Sequence, residues 1–442
     1  MRDLIVTAAI FGALPFVFKR PWIGVLLWSW ISYMNPHRLA WGFAYNFPFA
    51  MVVAIVTLAA FVFSREKKEV PWTRETVLLL MFVGWMLFTT FFATYPELAW
   101  PEWKRVWKIQ LFVFLTAVLI TDRQKLDWLI WVIVLSLGFY GVKGGIFTLA
   151  SGGGYLVWGP AGSFIGGNNE LALALIVTIP LIRYLHLQTH NRWVRHGLAV
   201  SMVLMAIAAM GSQSRGALLA ILAMGVFLWV KSRHKIMTGF LMLLAVGVLA
   251  VNLPQSWYDR MYTLQTYEED ASAMGRINAW HTAVNVASAH ITGGGFNTFQ
   301  APTFRHYAPE PFRVHDAHSI YFEVLGEHGF IGLSLFLLMW LLVWLKARKV
   351  IAACHSHPEN KWAADLSAMA QVSLVGYAVG GAFLGLAYFD LPYHILVIVV
   401  LAAKFSGVHG KAERPHLQHA RHRRPPIHPS ARWADEQAWQ RK

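Results

Sequence analysis

The sequence contains few charged residues: Asp, Glu, Lys and Arg make up 14% of its 442 residues. Because a soluble domain is about a quarter charged, this composition excludes an ordinary soluble globular protein. Hydrophobic residues make up 56% of the chain, and apolar stretches close to the ~20 residues that cross a bilayer recur along it. We therefore predict an all-α integral membrane protein, a polytopic bundle of about 12 transmembrane helices.

Cysteine and acidic residues are also scarce. The single cysteine, Cys354, excludes an internal disulfide and says nothing about the redox compartment. There are 23 acidic against 38 basic residues, which gives a net charge of +15. Much of the basic excess lies in short loops between apolar stretches and in the carboxy-terminal tail, so the positive-inside rule explains it and no nucleic-acid partner is expected.

The basic loops alternate along the chain with loops that contain few Lys and Arg residues. We assign the basic loops, such as residues 65–74, 123–125 and 346–349, to the cytoplasm. The other loops are then periplasmic, and the longest of them is residues 254–317. This predicts a multi-pass protein of the bacterial inner membrane, with the polar chemistry of its outer loops facing the periplasm.

Residues 3–34 allow two topologies, because Lys19-Arg20 divides them into two short apolar pieces. One crossing gives about 12 helices and a cytoplasmic amino terminus, whereas two crossings give about 13 and an external amino terminus. We favour one crossing. Residues 1–410 are then a single transmembrane domain, whose long loop contains amphipathic helices. Residues 411–442, rich in His, Arg and Pro, are predicted to be a disordered cytoplasmic tail, with metal binding by its histidines left open.

Two arginines stand at predicted periplasmic helix ends. Arg215 lies in a turn of a few residues between two apolar helices, where it either serves function or anchors lipid headgroups by snorkelling. Arg276 begins a stretch with apolar residues at 277, 280, 284 and 287, which predicts an amphipathic helix on the bilayer or on the bundle. This stretch ends at Gly293-Gly294-Gly295, a run that permits a tight turn and close approach of the backbone to a ligand.

A histidine motif stands where the chain re-enters the membrane. His318 and Tyr321 are three residues apart, which places them on one face if both are helical. Glu323 and Glu327 fall in the first turns of the following span and need partners there, for which Arg215 and Arg276 are the candidates.

Four more polar residues flank the other outer loops. Asn168 and Asn169 follow two glycines and precede an apolar stretch, which is typical of a helix N-cap and of an anion cradle. Lys143 precedes the same loop, and Arg105 stands before another span. Plain capping and interfacial anchoring explain these four residues as well as a function does.

The order of these motifs resembles that of the O-antigen ligase/polymerase family, bacterial membrane glycosyltransferases that use undecaprenyl-diphosphate-linked glycans. The motifs are Ser-Arg-Gly at 214–216, Gly-Arg to Trp at 275–280, the glycines at 293–295, His-Ser-Ile-Tyr at 318–321 and Gly-Glu-His-Gly at 326–329. The amino-terminal third and the Gly-Asn-Asn-Glu-Leu-Ala segment resemble the exosortase-associated ligase-like subgroup. Ser319 stands where many relatives have Asn, a departure that leaves His318 intact.

The resemblance implies an O-antigen ligase that transfers O-antigen polysaccharide, in the periplasm, from undecaprenyl diphosphate to a sugar hydroxyl of lipid A–core during lipopolysaccharide biosynthesis. It assigns the diphosphate to Arg215 and Arg276, and the activation of the acceptor hydroxyl to His318. The expected substrate-binding residues are Tyr321, Lys143, Arg105, Asn168 and Asn169. The reaction is expected to invert the anomeric configuration without metal or cofactor, in a monomer surrounded by membrane lipids.

Three alternatives remain from the sequence. A polymerase that joins repeat units and a ligase that transfers glycan to protein would use the same lipid-linked donor. A transporter of lipid-linked glycan belongs to another class, in which paired halves and charges near the bilayer midplane are expected. The sequence shows no internal repeat, and its intramembrane charges cluster toward the outer ends.

Overall fold

The computed structural model describes residues 1–232, 234–237, 239–240, 243 and 271–408. Within these residues all regular structure is helical. The apolar run Ile236–Leu253 predicts a crossing, and most of it lies outside the described residues. Residues 254–270 of the long loop and the 411–442 tail lie outside them too. The helices are α1 Arg2–Lys19, α2 Pro21–Met34, α3 Phe49–Phe63, α4 Arg74–Phe91, α5 Pro96–Leu119, α6 Arg123–Ala150, α7 Asn168–Gln188, α8 Arg192–Gly211, α9 Arg215–Lys231, α10 Ala271–Ala289, α11 Ala301–Tyr307, α12 Ile320–Cys354, α13 Lys361–Gly381 and α14 Asp390–Phe405.

Five of the described helices, α4, α6, α7, α8 and α12, are long and apolar enough to cross a membrane. The shorter α3 is also apolar. The most enclosed helix is α14, in which every residue from Asp390 to Ala403 is buried. Because a helix that is apolar on all sides belongs in the interior, α14 forms the centre of the bundle. The chain is thus an all-helical, multi-pass membrane protein, as predicted.

The amino terminus differs from the single crossing expected for residues 3–34. Arg20 is extended and Pro21 starts a second helix, because proline offers no backbone N–H to continue the first. The Asp3 carboxylate accepts hydrogen bonds from the backbone N–H groups of Gly42 (3.0 Å) and Ala44 (3.1 Å), so the start of α1 lies beside the segment after α2. Helices α1 and α2 therefore form an antiparallel hairpin, which is the arrangement that the two-crossing alternative predicts. Neither helix is among the described helices that are long and apolar enough to cross a membrane.

Loops whose adjoining helix ends contain many of the basic residues meet at one end of the bundle, which we call the basic end. It comprises residues 19–20, 64–73, 120–122, 189–191 and 355–360. Lys404 at the end of α14 pairs with Glu69 at 2.6 Å, and the Arg123 guanidinium lies 4.7 Å from the Trp362 ring. Lys125 lies 5.7 Å from the ring of Trp22, so the α1–α2 turn belongs to this end too.

The opposite end, which we call the site end, comprises residues 35–48, 92–95, 151–167, 212–214 and 290–319. These loops contact one another through hydrogen bonds to their backbone carbonyl groups. The Thr94 N–H donates to the Gly294 carbonyl at 2.8 Å. The Gln213 side chain donates to the Gly153 carbonyl at 3.2 Å. The motif residues predicted to serve function are therefore assembled at the end opposite the basic loops.

Candidate active site

His318 lies just before α12, which begins at Ile320 after Ser319. Its φ of 40° is in the left-handed region, which costs a non-glycine residue roughly 1–3 kcal/mol and is found where surrounding contacts fix the backbone. One such contact comes from α10, because the Trp280 indole N–H donates to the Ala317 carbonyl at 2.8 Å. The Trp280 ring also stacks on Phe322, 4.9 Å away. The helix predicted here thus packs on the bundle, where it positions His318. Its buried face runs through Ala279, Ala283 and Ala287 and is not the predicted stripe, since Val284 is exposed.

His318 and Tyr321 do not share a helical face as expected, because His318 lies outside the helix. The Tyr321 hydroxyl instead donates to the Ala378 carbonyl at 2.8 Å. This hydrogen bond joins the first turn of α12 to the end of α13. Tyr321 therefore has a structural partner of its own, and substrate binding by it stays a prediction.

Arg276 and His318 are brought together by the packing of α10 against the start of α12. Arg276 and Asp316 both lie close enough for their charges to act on the His318 imidazole. The His315 and His318 ring centroids are 5.1 Å apart. The same two charges, of Arg276 and Asp316, act on the carboxyl of Glu170 in α7. We call these five side chains, Glu170, Arg276, His315, Asp316 and His318, the Arg276–His318 cluster.

The sequence did not single out Glu170 and Asp316 as members of this site. Each lies close to a residue that the sequence did single out: Glu170 follows Asn169, and Asp316 lies two residues before His318. A usable signal was present, since carboxylates at outer helix ends are costly to bury without a cationic partner. A search of the sequence for an anion-binding site should therefore include the acidic residues that lie beside the candidate arginines.

Arg215 is the first residue of α9 and follows a tight turn. Gln213 in this turn has a φ of 54°, and the Ser214 side chain caps the helix by accepting from the Ala217 N–H at 3.3 Å. The Asn168 amide donates to the Ser212 carbonyl at 2.8 Å, which ties the turn to the start of α7. Because Glu170 of the same α7 turn interacts with Arg276, the two arginine-bearing segments meet at this point.

The start of α7 is occupied by a side chain of the protein itself. Gly167 is the N-cap, and a Cβ built on it would lie 1.9 Å from a carboxylate oxygen of Glu170. Asn168 is buried and bonded to the turn before Arg215. Asn169 is half-buried, and its side chain makes no hydrogen bond to any other residue that the structure describes. Of the predicted pair, Asn169 is thus the one available to a ligand.

Arg105 and Lys143 occupy different surroundings. The Arg105 guanidinium lies 3.6 Å from the centroid of the Phe164 ring and 3.6 Å from the Glu102 carboxylate. Since Phe164 belongs to the loop before α7, Arg105 stands at the site end. Lys143 lines an apolar groove of about 530 Å³ between α6, α7 and α8, and none of the lining residues belongs to the Arg276–His318 cluster.

Glu327 has identified partners. Its carboxylate accepts from the Tyr388 hydroxyl at 2.6 Å and from the Asn297 N–H at 2.7 Å. Glu323 accepts from the Ala387 N–H at 3.3 Å. These contacts join α12 to the turns before α11 and α14. Both glutamates therefore help to hold the scaffold behind the cluster.

The glycine run at 293–295 also has a structural role. The Gly294 and Gly295 N–H groups donate to the carbonyls of Gly326 (2.8 Å) and Glu327 (2.9 Å). A Cβ on Gly293, whose φ is 65°, would lie 2.6 Å from the Gly329 nitrogen. The close approach observed here is thus to the backbone of α12. An approach of this run to a ligand stays a prediction.

The protonation of His318 gives a testable pH dependence. Burial lowers the pKa of His318 below its usual 6.5, Arg276 and His315 lower this pKa further, and Asp316 opposes them. The imidazole is therefore neutral at pH 7 and able to accept a proton. We expect the acid limb of kcat/KM to lie below pH 6.5, and Asp316→Asn to move it lower still, because a stabilising negative charge is lost. Glu310→Gln, in the same loop, is the control and should leave the acid limb of kcat/KM where it is in wild type. An acid limb at the same pH in wild type and Asp316→Asn would contradict this assignment.

Comparison with known families adds to this geometry. Residues 200–337 match the family described as O-antigen ligase. They form an O-antigen ligase family domain. This match confirms the predicted resemblance, and the family indicates a membrane enzyme of the ligase/polymerase glycosyltransferase type. Residues 1–190 match a family of unknown function (DUF5935), and no curated protein sequence matches the chain at a significant level.

The two matched regions divide the candidate site between them. The O-antigen ligase region contains Arg215, Arg276 and His318. The amino-terminal region contains Arg105, Lys143 and the Asn168–Glu170 turn. Because Glu170 interacts with Arg276 and Asn168 bonds to Ser212, the cluster lies on the junction of the two regions.

Proposed function

We propose that this O-antigen ligase family protein transfers O-antigen polysaccharide from undecaprenyl diphosphate to a sugar hydroxyl of lipid A–core, at the periplasmic face of the inner membrane. The observation that carries the proposal is the Arg276–His318 cluster at the site end. Glycosyl transfer requires the leaving group and the nucleophile to meet at one anomeric carbon. A cation for the diphosphate and a neutral imidazole for the hydroxyl, held side by side, meet that requirement.

The roles follow from the charges that develop during transfer. As the bond from the anomeric carbon to the diphosphate breaks, negative charge grows on the leaving phosphate oxygen. Arg276, assisted by Arg215, offsets this charge through charge-assisted hydrogen bonds. His318 removes the proton from the acceptor hydroxyl as its oxygen attacks. Attack from the face opposite the leaving group inverts the anomeric centre.

We expect transfer to proceed without a divalent cation, because arginines supply the positive charge. The acidic residues 268–270 that could otherwise hold a metal lie outside the described residues. Purified protein with lipid-linked donor and acceptor should keep its full rate in excess EDTA, with product formation followed by gel or mass spectrometry. A rate that falls in EDTA and returns with magnesium or manganese would assign the diphosphate to a metal instead.

The acceptor is what separates the alternatives. A polymerase and a protein glycan ligase would use the same donor, arginines and base, but different acceptor hydroxyls. A transporter of lipid-linked glycan needs its charges near the bilayer midplane, whereas Glu170, Arg276, Asp316 and His318 all lie at the site end. This distribution favours transfer over transport.

A further inference from the structure

A groove opens at the basic end, remote from the candidate active site. It has a volume of about 440 Å³ and lies between the start of α4, the last third of α12 and the end of α14. Ligand sites in proteins commonly have volumes of about 300–1,000 Å³. Part of its wall is apolar, at Leu342 and Leu345, and part is charged, at Arg74, Glu75, Lys346 and Lys349. The two leucines and the two lysines share one face of α12, with the lysines nearer its end.

The charged wall has an excess of positive charge. Lys346 and Glu75 form a buried ion pair at 2.6 Å, with side chains 9% and 6% exposed. The charges of Arg74 and Lys349 both act on Lys346. Among the residues that the structure describes, no acidic side chain pairs with Arg74 or Lys349. Two exposed cations thus stand beside a neutralised pair, and a bound anion would balance them.

We propose that this groove binds an anionic phospholipid of the membrane. Its phosphate contacts Arg74 and Lys349, and its acyl chains lie along Leu342 and Leu345. Leu345 is 44% exposed and Trp72 at the rim is 69% exposed, so the apolar wall reaches the bundle surface at the level where headgroups lie. Basic pockets between helices at the cytoplasmic side are suited to such headgroups.

Charge also decides between this lipid and the chain's own carboxy terminus. The groove ends at Val408, after which the sequence contains more than twice as many basic as acidic residues. A basic segment does not complement a basic groove, whereas a phosphate does. The site is independent of glycosyl transfer, since none of its residues belongs to the Arg276–His318 cluster.

The experiment measures lipid binding by the purified full-length protein. Native mass spectrometry, or thermal unfolding in nanodiscs, compares phosphatidylglycerol and cardiolipin with phosphatidylcholine. We expect wild type to prefer the anionic lipids. Because each basic residue near a charged lipid surface contributes about fivefold in affinity, Lys349→Gln should lose roughly 5-fold and Arg74→Gln/Lys349→Gln roughly 30-fold. Arg195→Gln, which changes an exposed basic residue in the first turn of α8 and outside the groove, should bind as wild type does.

Two results would overturn the proposal. One is equal anionic-lipid binding by wild type and the double variant. The other is equal stabilisation by inorganic phosphate alone, which would make the ligand a soluble anion. Unfolding in phosphatidylcholine checks the fold of each variant, and Lys349→Gln alone changes only one exposed side chain, so the comparison remains decisive if the double variant is unstable.

Discussion

Replacement of His318 by alanine is expected to slow glycan transfer about 10²–10⁴-fold, the usual contribution of a positioned general base. Donor binding should stay nearly unchanged, because the diphosphate is held by the arginines. The measurement is single-turnover transfer from a lipid-linked donor, with donor affinity determined separately. His290→Ala, which changes an exposed histidine at the same end, should keep the wild-type rate.

The backbone at His318 calls for a second variant. Alanine at a φ of 40° is strained, whereas asparagine tolerates the left-handed region better. His318→Asn should therefore keep the fold and still lose the base. Wild-type turnover in either variant, or loss of activity only together with loss of folding, would remove His318 from catalysis.

Arg276→Lys and Arg215→Lys are expected to weaken donor binding or turnover on the order of 10²-fold, the usual cost of losing one donor to a developing oxyanion. Lysine keeps the charge but not the planar, bidentate contact with a phosphate. The double variant should lose less than the product of the two single losses if both residues hold one group. Arg305→Lys, an exposed arginine in α11, is the matched control.

Donor affinity is the readout that separates the arginines from His318. Equal donor binding by wild type and both lysine variants, on correctly folded protein, would give Arg215 and Arg276 structural roles. Lys143 or Arg105 would then be the residue that binds the diphosphate. Of these, Arg105 stands at the site end, stacked on Phe164, whereas Lys143 lines a separate groove.

Most of the helices could be predicted, because continuous apolar runs have few alternatives in a membrane. The apolar run Leu391–Lys404 predicts a crossing, for example, and it corresponds to α14, Asp390–Phe405. The start of α5 could not be predicted from its apolar run. This run begins near Val106, whereas the helix begins at Pro96, and the turns between them are polar and lie at the bundle surface. The α1–α2 hairpin was the alternative that we did not favour, because both its helices are short for a full crossing.

The site could be predicted only in part. His318, Arg215 and Arg276 stand in motifs that the sequence displays directly. The contacts among them depend on tertiary packing: Glu170 meets Arg276 across two helices, and the Trp280 indole fixes the carbonyl just before His318. The positive φ of His318, which removes it from the face of Tyr321, follows from that packing and not from local sequence.

Deletion of the gene tests the central claim most directly. Core-linked lipopolysaccharide should lose its long chains while the undecaprenyl-diphosphate-linked glycan accumulates, and the wild-type gene should restore both where His318→Asn does not. Loss of glycan from protein, or a shortened chain length with ligation intact, would assign the same chemistry to another acceptor. Unchanged core-linked chains without accumulation of the lipid-linked donor would contradict the account.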